Sequence, residues 1–151
     1  MSAVSHAVPA DDRAAIEDLL TEFYWRLDHA GAGSVADLFT ESATLVTPRF
    51  SLSGREQIAR WFEGRTSGAP RTTRHSWSNL RLRPIEHDKL SAEAHVMTAA
   101  ATHDQSATIE VMIGDTTDLI VREGGAGWRF AARRLDPTLE GRLAIGPGHT
   151  P

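Results

Sequence analysis

From Thr72 to Leu135 the sequence is almost wholly strand pattern, in four long stretches: Thr72 to Arg83, Leu90 to His103, Thr108 to Arg122 and Trp128 to Leu135. Turn signals separate them at Pro84, His87-Asp88, Asp104-Gln105 and Gly124 to Gly127, with no helical pattern between. Successive strands joined in this way pair antiparallel. Stretches well above the usual length of about five or six residues curl, because strands twist.

The part of the chain before Gly68 and Pro70 reads differently. Ile16, Leu19, Leu20, Phe23, Tyr24 and Leu27 recur at helical spacing behind Asp11 and Asp12, which suit the positive start of a helix. Gly31 and Gly33 end that helix. Ser34 with Asp37 resembles a capping box for a short helix ending near Phe39, and Ser53 with Glu56 forms another ahead of Ile58, Trp61 and Phe62. Ala43 to Thr47 is a short strand between them. Three early helices followed by antiparallel strands define an α+β class: helices packed on one face of a curled, cone-shaped antiparallel sheet and enclosing one pocket.

A chain of 151 residues, 40% of them hydrophobic, accommodates one domain with one core. Residues 1–10 read as a flexible arm, 11–137 as the domain and 138–151 as a tail, broken by Gly146, Pro147, Gly148 and Pro151 from Leu143 onward. A formal charge of -4 and the lack of any basic run argue against nucleic acid as a partner. No apolar run reaches the roughly 18 residues of a membrane helix, and the N-terminus lacks a signal-peptide pattern, so no membrane association and a cytoplasmic location are expected. Without Cys there is no thiolate nucleophile or thiolate metal site. The histidines have no compact metal spacing, and the glycines at 124, 125 and 127 lead into no helix, so neither a metal nor a nucleotide cofactor is expected.

Two residues carry the strongest chemical signal. Asp28 falls in the last turn of the first helix, where the dipole disfavours a carboxylate, at the margin of the apolar face. There it either looks into a pocket or stays in water. His75 lies inside a strand, and alternation groups it with Thr73, Trp77, Asn79 and Arg81. Alone it is either structural or chemical; beside a carboxylate it would be held in one tautomer with a raised pKa, ready to move protons near neutral pH. His95, Met97 and His103 share a face of the next strand with Ala99 and Ala101, and line either a ligand site or the solvent. Glu110 is placed similarly. Trp61 and Trp77 are core or the walls of an aromatic substrate site, and Phe39 and Asn79 complete the expected pocket.

The succession Tyr24-Trp25-Arg26-Leu27-Asp28, Leu38-Phe39-Thr40-Glu41-Ser42-Ala43-Thr44, Gly54-Arg55-Glu56-Gln57-Ile58 and Thr73-Arg74-His75-Ser76-Trp77-Ser78-Asn79 resembles the SnoaL-like branch of the nuclear-transport-factor-two-like superfamily. The resemblance spans about Asp11 to Pro137 and implies an α+β cone, often dimeric. In the scytalone dehydratase and bile-acid dehydratase branch, an Asp ending the first helix and a His on the following long strand form the catalytic pair, which implies Asp28 and His75 here. Tyr24 is implied as an assisting hydroxyl, and His103 is the nearest match to a second histidine on the next strand. The tyrosine expected after the first short strand is replaced by Thr47-Pro48-Arg49.

The implied function is a cofactor-independent lyase (dehydratase), isomerase or polyketide cyclase acting on a hydrophobic cyclic or polyketide-like small molecule. A homodimer is the implied assembly. The Arg-rich, Lys-poor composition is compatible with a GC-rich bacterial genome, where such enzymes serve natural-product biosynthesis. The superfamily also contains two other classes, and both remain open at this point: a noncatalytic partner like the beta subunit of aromatic-ring dioxygenases, and a small-molecule-binding module.

Overall fold

A computed structural model describes residues 7–66, 71–102 and 108–144. The expected turn at Gly68 and Pro70, His103, and the tail beyond 144 lie outside them. Helix α1 (Ala10–Asp28) and helix α2 (Arg55–Thr66) flank a 3-10 turn at Val35–Leu38 and strands β1 (Phe39–Thr47) and β2 (Phe50–Ser53). The long strands β3 (Arg71–Glu86), β4 (Lys89–Thr102), β5 (Thr108–Arg122) and β6 (Trp128–Ala144) follow. They form one six-stranded sheet in the order β2-β1-β6-β5-β4-β3.

The α+β cone is therefore as expected, with one change: the sheet is mixed, because β1 pairs with β6 in parallel. Sequence neighbours do pair antiparallel from β3 to β6. The parallel pair joins strands far apart in the chain, which local turn signals do not report. β6 also continues past Leu135 to Ala144, its last residues pairing with Thr108 to Ile113 of β5, so residues 138–144 are strand and not tail. Among the described residues no helix is long and apolar enough to cross a membrane.

α1 buries Ile16, Leu19, Leu20, Phe23 and Tyr24 against the inner face of the sheet. Its first turn is tied down by Asp12, whose Oδ1 accepts from Arg122 Nη2 and, at 3.3 Å, from Trp128 Nε1. α2 is held on β1 by Arg55, whose guanidinium donates to the Phe39 carbonyl at 2.9 and 2.7 Å. The box at its start closes through Gln57, which accepts from Ser53 N at 2.6 Å, one residue after the Glu56 that the pattern singled out. Phe39 and Phe130 are fully buried and meet Phe23, with ring centroids 5.2 to 6.0 Å apart. Phe39 is thus the centre of the core and no part of the pocket.

β3 contains the irregularity that most affects the site. Its pairing with β4 shifts between Ser78 and Arg81, and Asn79 there has φ 56. Thr73, His75 and Trp77 face inward before this bulge; Leu80 and Leu82 take over after it. Asn79 and Arg81 are exposed, so they do not share the His75 face: strict alternation fails across a bulge.

Candidate active site

The end of α1 lies against the start of β3, and this contact brings Asp28 and His75 together. Asp28 Oδ1 is 2.6 Å from His75 Nδ1 and accepts from Thr73 Oγ1 at 2.8 Å, while its Oδ2 accepts from the His75 backbone N–H at 2.8 Å. Three hydrogen bonds compensate the carboxylate for its place at the negative end of a helix dipole. The side chains of His75 and Asp28 are only 8% and 6% exposed. Since a carboxylate only accepts, the neutral imidazole carries its proton on Nδ1, which leaves Nε2 with a free lone pair.

The imidazole differs from expectation in one respect. Burial is the largest influence and holds its pKa below 6.5; the hydrogen bond and charge of Asp28 pull the other way, and the cations Arg65 and Arg133 add to the lowering. The ring is consequently a neutral acceptor at pH 7.

His75 lines a cavity of about 680 Å³ walled by Leu27, Phe50, Trp61, Phe62, Val96 and Met112 among others. Phe50 and Trp61 pack at 4.2 Å between centroids, making an aromatic wall. Tyr24 lies nearly parallel to the imidazole, with centroids 5.3 Å apart. Its hydroxyl accepts from Arg133 Nη2 at 2.6 Å, so its own proton remains to be donated. Burial raises the Tyr24 pKa, with Arg133 opposing, and the phenol stays protonated.

Sequence reading missed Arg133 and Asp118. Both are buried; Arg133 Nη1 donates to Asp118 Oδ2 at 3.0 Å, and the guanidinium lies 4.3 Å from the Phe23 ring centroid and 4.7 Å from that of Phe130. Burial pushes the Asp118 carboxyl up to about 6 against the opposing charge of Arg133. The signal was present in the inward alternation of Thr116, Asp118 and Ile120 on β5, which puts an acid where only a paired one is tolerated. Thr98 was also missed. It is directly opposite His75 on β4, it lines the cavity, and its buried Oγ1 has no partner among the described residues.

Of the expected pocket residues, Trp61 lines the cavity. Trp77 lies against α1 instead, its Nε1 donating to Thr21 Oγ1 at 3.2 Å. His95 and Met97 are on the outer face, where His95 Nε2 is 3.5 Å from Asp115, because Val96, Thr98 and Ala100 occupy the inward positions of β4. Glu110 lines the cavity as an exposed residue paired with Arg71 and Arg142. Among the described residues no group of three or more His, Asp or Glu side chains is placed to hold a metal ion.

A bent sheet closed by helices over a buried Asp–His pair and an apolar cavity defines a cone-shaped α+β protein with an interior cavity. The chain belongs to the SnoaL-like domain family, whose model matches residues 9–134. No curated protein sequence matches it. Solved structures similar to it include a Novosphingobium aromaticivorans protein assigned as a scytalone dehydratase, 22% identical with a TM-score of 0.76, covering 93% of this chain and 96% of that one. A type 2 hexachlorocyclohexane dehydrochlorinase (LinA) is 20% identical with a TM-score of 0.78 over the same shares. The type 3 LinA of Novosphingobium barchaimii is 20% identical with a TM-score of 0.76, covering 93% of this chain and 95% of that one. At these identities the likeness is one of fold.

Proposed function

We propose that this protein is a cofactor-independent lyase or isomerase that moves a proton on a hydrophobic, cyclic or polyketide-like small molecule. The observation that carries the reading is the 2.6 Å contact of His75 Nδ1 with Asp28, which leaves Nε2 as a base on an apolar cavity. His75 Nε2 takes a proton from a carbon beside a carbonyl or beside a carbon bearing a leaving group. Asp28 stabilises the imidazolium so formed. Tyr24 O–H donates to a substrate oxygen, with Arg133 polarising the phenol from behind, and Thr98 Oγ1 offers a further hydrogen bond next to His75.

In an elimination, the electron pair of the broken C–H bond becomes the new double bond as the neighbouring C–O bond breaks. The imidazolium returns its proton to the departing hydroxyl, which leaves as water. In an isomerisation the same proton returns to another carbon. The three similar structures above bear names of eliminations, one a dehydratase and two dehydrochlorinases, and this supports the lyase side. We further propose a homodimer that uses the outer sheet face, where Met97, Ile113 and Leu139 are register neighbours on β4, β5 and β6 and are 47%, 38% and 62% exposed.

The test is turnover on cyclic β-hydroxyketones and chlorinated cyclohexanes, followed by product analysis. With an active substrate, Asp28→Asn and His75→Gln are each expected to lower kcat by about 10²- to 10⁴-fold while the fold persists. Full turnover in both variants would sink the acid–base reading, and tight binding without turnover by the wild type would make the protein a binding module.

A further inference from the structure

The rim of the cavity carries charges that take no part in the proton transfer itself, although that of Arg65 also lowers the His75 pKa. Arg49, Arg65, Arg71 and Arg142 line it together with Glu110 and Glu140: four cations against two carboxylates, in a chain whose formal charge is -4. Both carboxylates are engaged, since Glu110 pairs with Arg71 and Arg142, and Glu140 with Arg49. Among the described residues Arg65 makes no ion pair; partial burial and the neighbouring Arg71 hold its pKa below the ordinary value, while the charge of Asp28 acts on it the other way from further away. It is exposed and lines the cavity, its guanidinium carbon 5.6 Å from the centroid of Trp61. Trp61 packs on Phe50 and Phe62, at 4.2 and 4.8 Å, so the Arg65 guanidinium sits at the end of an aromatic wall.

We infer that the ligand of this cavity is an apolar ring system bearing a carboxylate, and that Arg65 binds that carboxylate while Trp61 and Phe50 hold the ring. The inference rests on the proposed site and narrows its substrate class. A guanidinium offers the planar, two-pronged donor geometry that matches a carboxylate, and its single charge matches a monoanion. The cationic surplus around a low-dielectric cleft also draws anions toward the mouth. With the carboxylate at the rim, the ring extends inward to His75 and Tyr24.

Arg65 lies in the last turn of α2, where a cation is favoured by the helix dipole whatever the ligand. The test therefore reads ligand discrimination. Isothermal titration calorimetry compares 1-naphthoate with 1-naphthalenemethanol, a neutral analogue of the same ring, on the full chain. Wild type is expected to prefer the carboxylate by about tenfold, the yield of one charge-assisted pair of hydrogen bonds.

Arg65→Gln should abolish the preference and Arg65→Lys should retain part of it. Arg13→Gln, an equal loss of charge on the exposed face of α1, should leave it intact. His75→Gln should keep the preference, so a failure of the proton chemistry and a failure of this inference are separable. Equal affinities in wild type, binding of neither probe, or a preference that survives in Arg65→Gln would overturn it. A helix-terminal role alone would lower the melting temperature of Arg65→Gln and leave discrimination unchanged.

Discussion

Asp118 and His75 act on stability in opposite directions as pH changes. The Asp118 carboxyl is pushed up to about 6 from its ordinary 3.8 by burial. Between those values the folded chain keeps a proton that the unfolded chain has lost, so this contribution falls as pH rises through the window. His75 lies below its ordinary 6.5, so the unfolded chain binds its proton first as pH drops, and this contribution is lost on acidification below 6.5. A one-unit difference in pKa between the states is worth about 1.4 kcal/mol. Asp118→Asn deletes only the first of these slopes. Urea midpoints taken from pH 4 to 6 should therefore rise with pH more steeply in Asp118→Asn than in wild type, and above about pH 6, where wild-type Asp118 is ionised, the variant also leaves Arg133 without its buried counter-charge. Parallel pH dependences would show that Asp118 does not change ionisation in that window.

Among the elements, β3 combines a bulge at Asn79 with the position of His75. Its bulge requires a left-handed residue at 79, a conformation that asparagine tolerates and β-branched residues do not. Asn79→Gly is expected to leave stability within about 0.5 kcal/mol, whereas Asn79→Val should lose about 1 to 2 kcal/mol in urea unfolding. The same bulge shows where sequence reading succeeds and fails. The period of α1 put Asp28 at its last turn, and the pattern of β3 put His75 within a strand; together with the family resemblance this sufficed to pair them. Alternation carried past Ser78 placed Asn79 on the wrong face, because a one-residue irregularity inverts every later position. On β4 the choice between His95 with Met97 and Val96 with Thr98 depended on which face the helices cover, and that is set by packing between distant segments. Arg133 is hardest to see: its role depends on Asp118 and Tyr24, two residues on separate elements.

For the whole molecule, the row of Met97, Ile113 and Leu139 on the outer face has a measurable consequence. If a second copy covers it, sedimentation equilibrium should give twice the 16.5 kDa chain mass, and Ile113→Glu should shift the equilibrium to monomer without altering the circular dichroism spectrum. A wild-type monomer at micromolar concentration would remove the dimer from the proposal. The parallel pairing of β1 with β6 has a different consequence, one of timing. During synthesis α1, β1, β2 and α2 emerge first, but β1 has no neighbour other than β2 until the last strand docks between it and β5. Contacts such as Phe39 with Phe130 close a loop that spans most of the chain, a topology that slows folding. Arg133 arrives on that same strand. A ribosome-bound chain stalled before β6 holds the Asp28–His75 sequence but neither a closed core nor Arg133 behind Tyr24, so binding competence and the completed sheet should appear in a single late step.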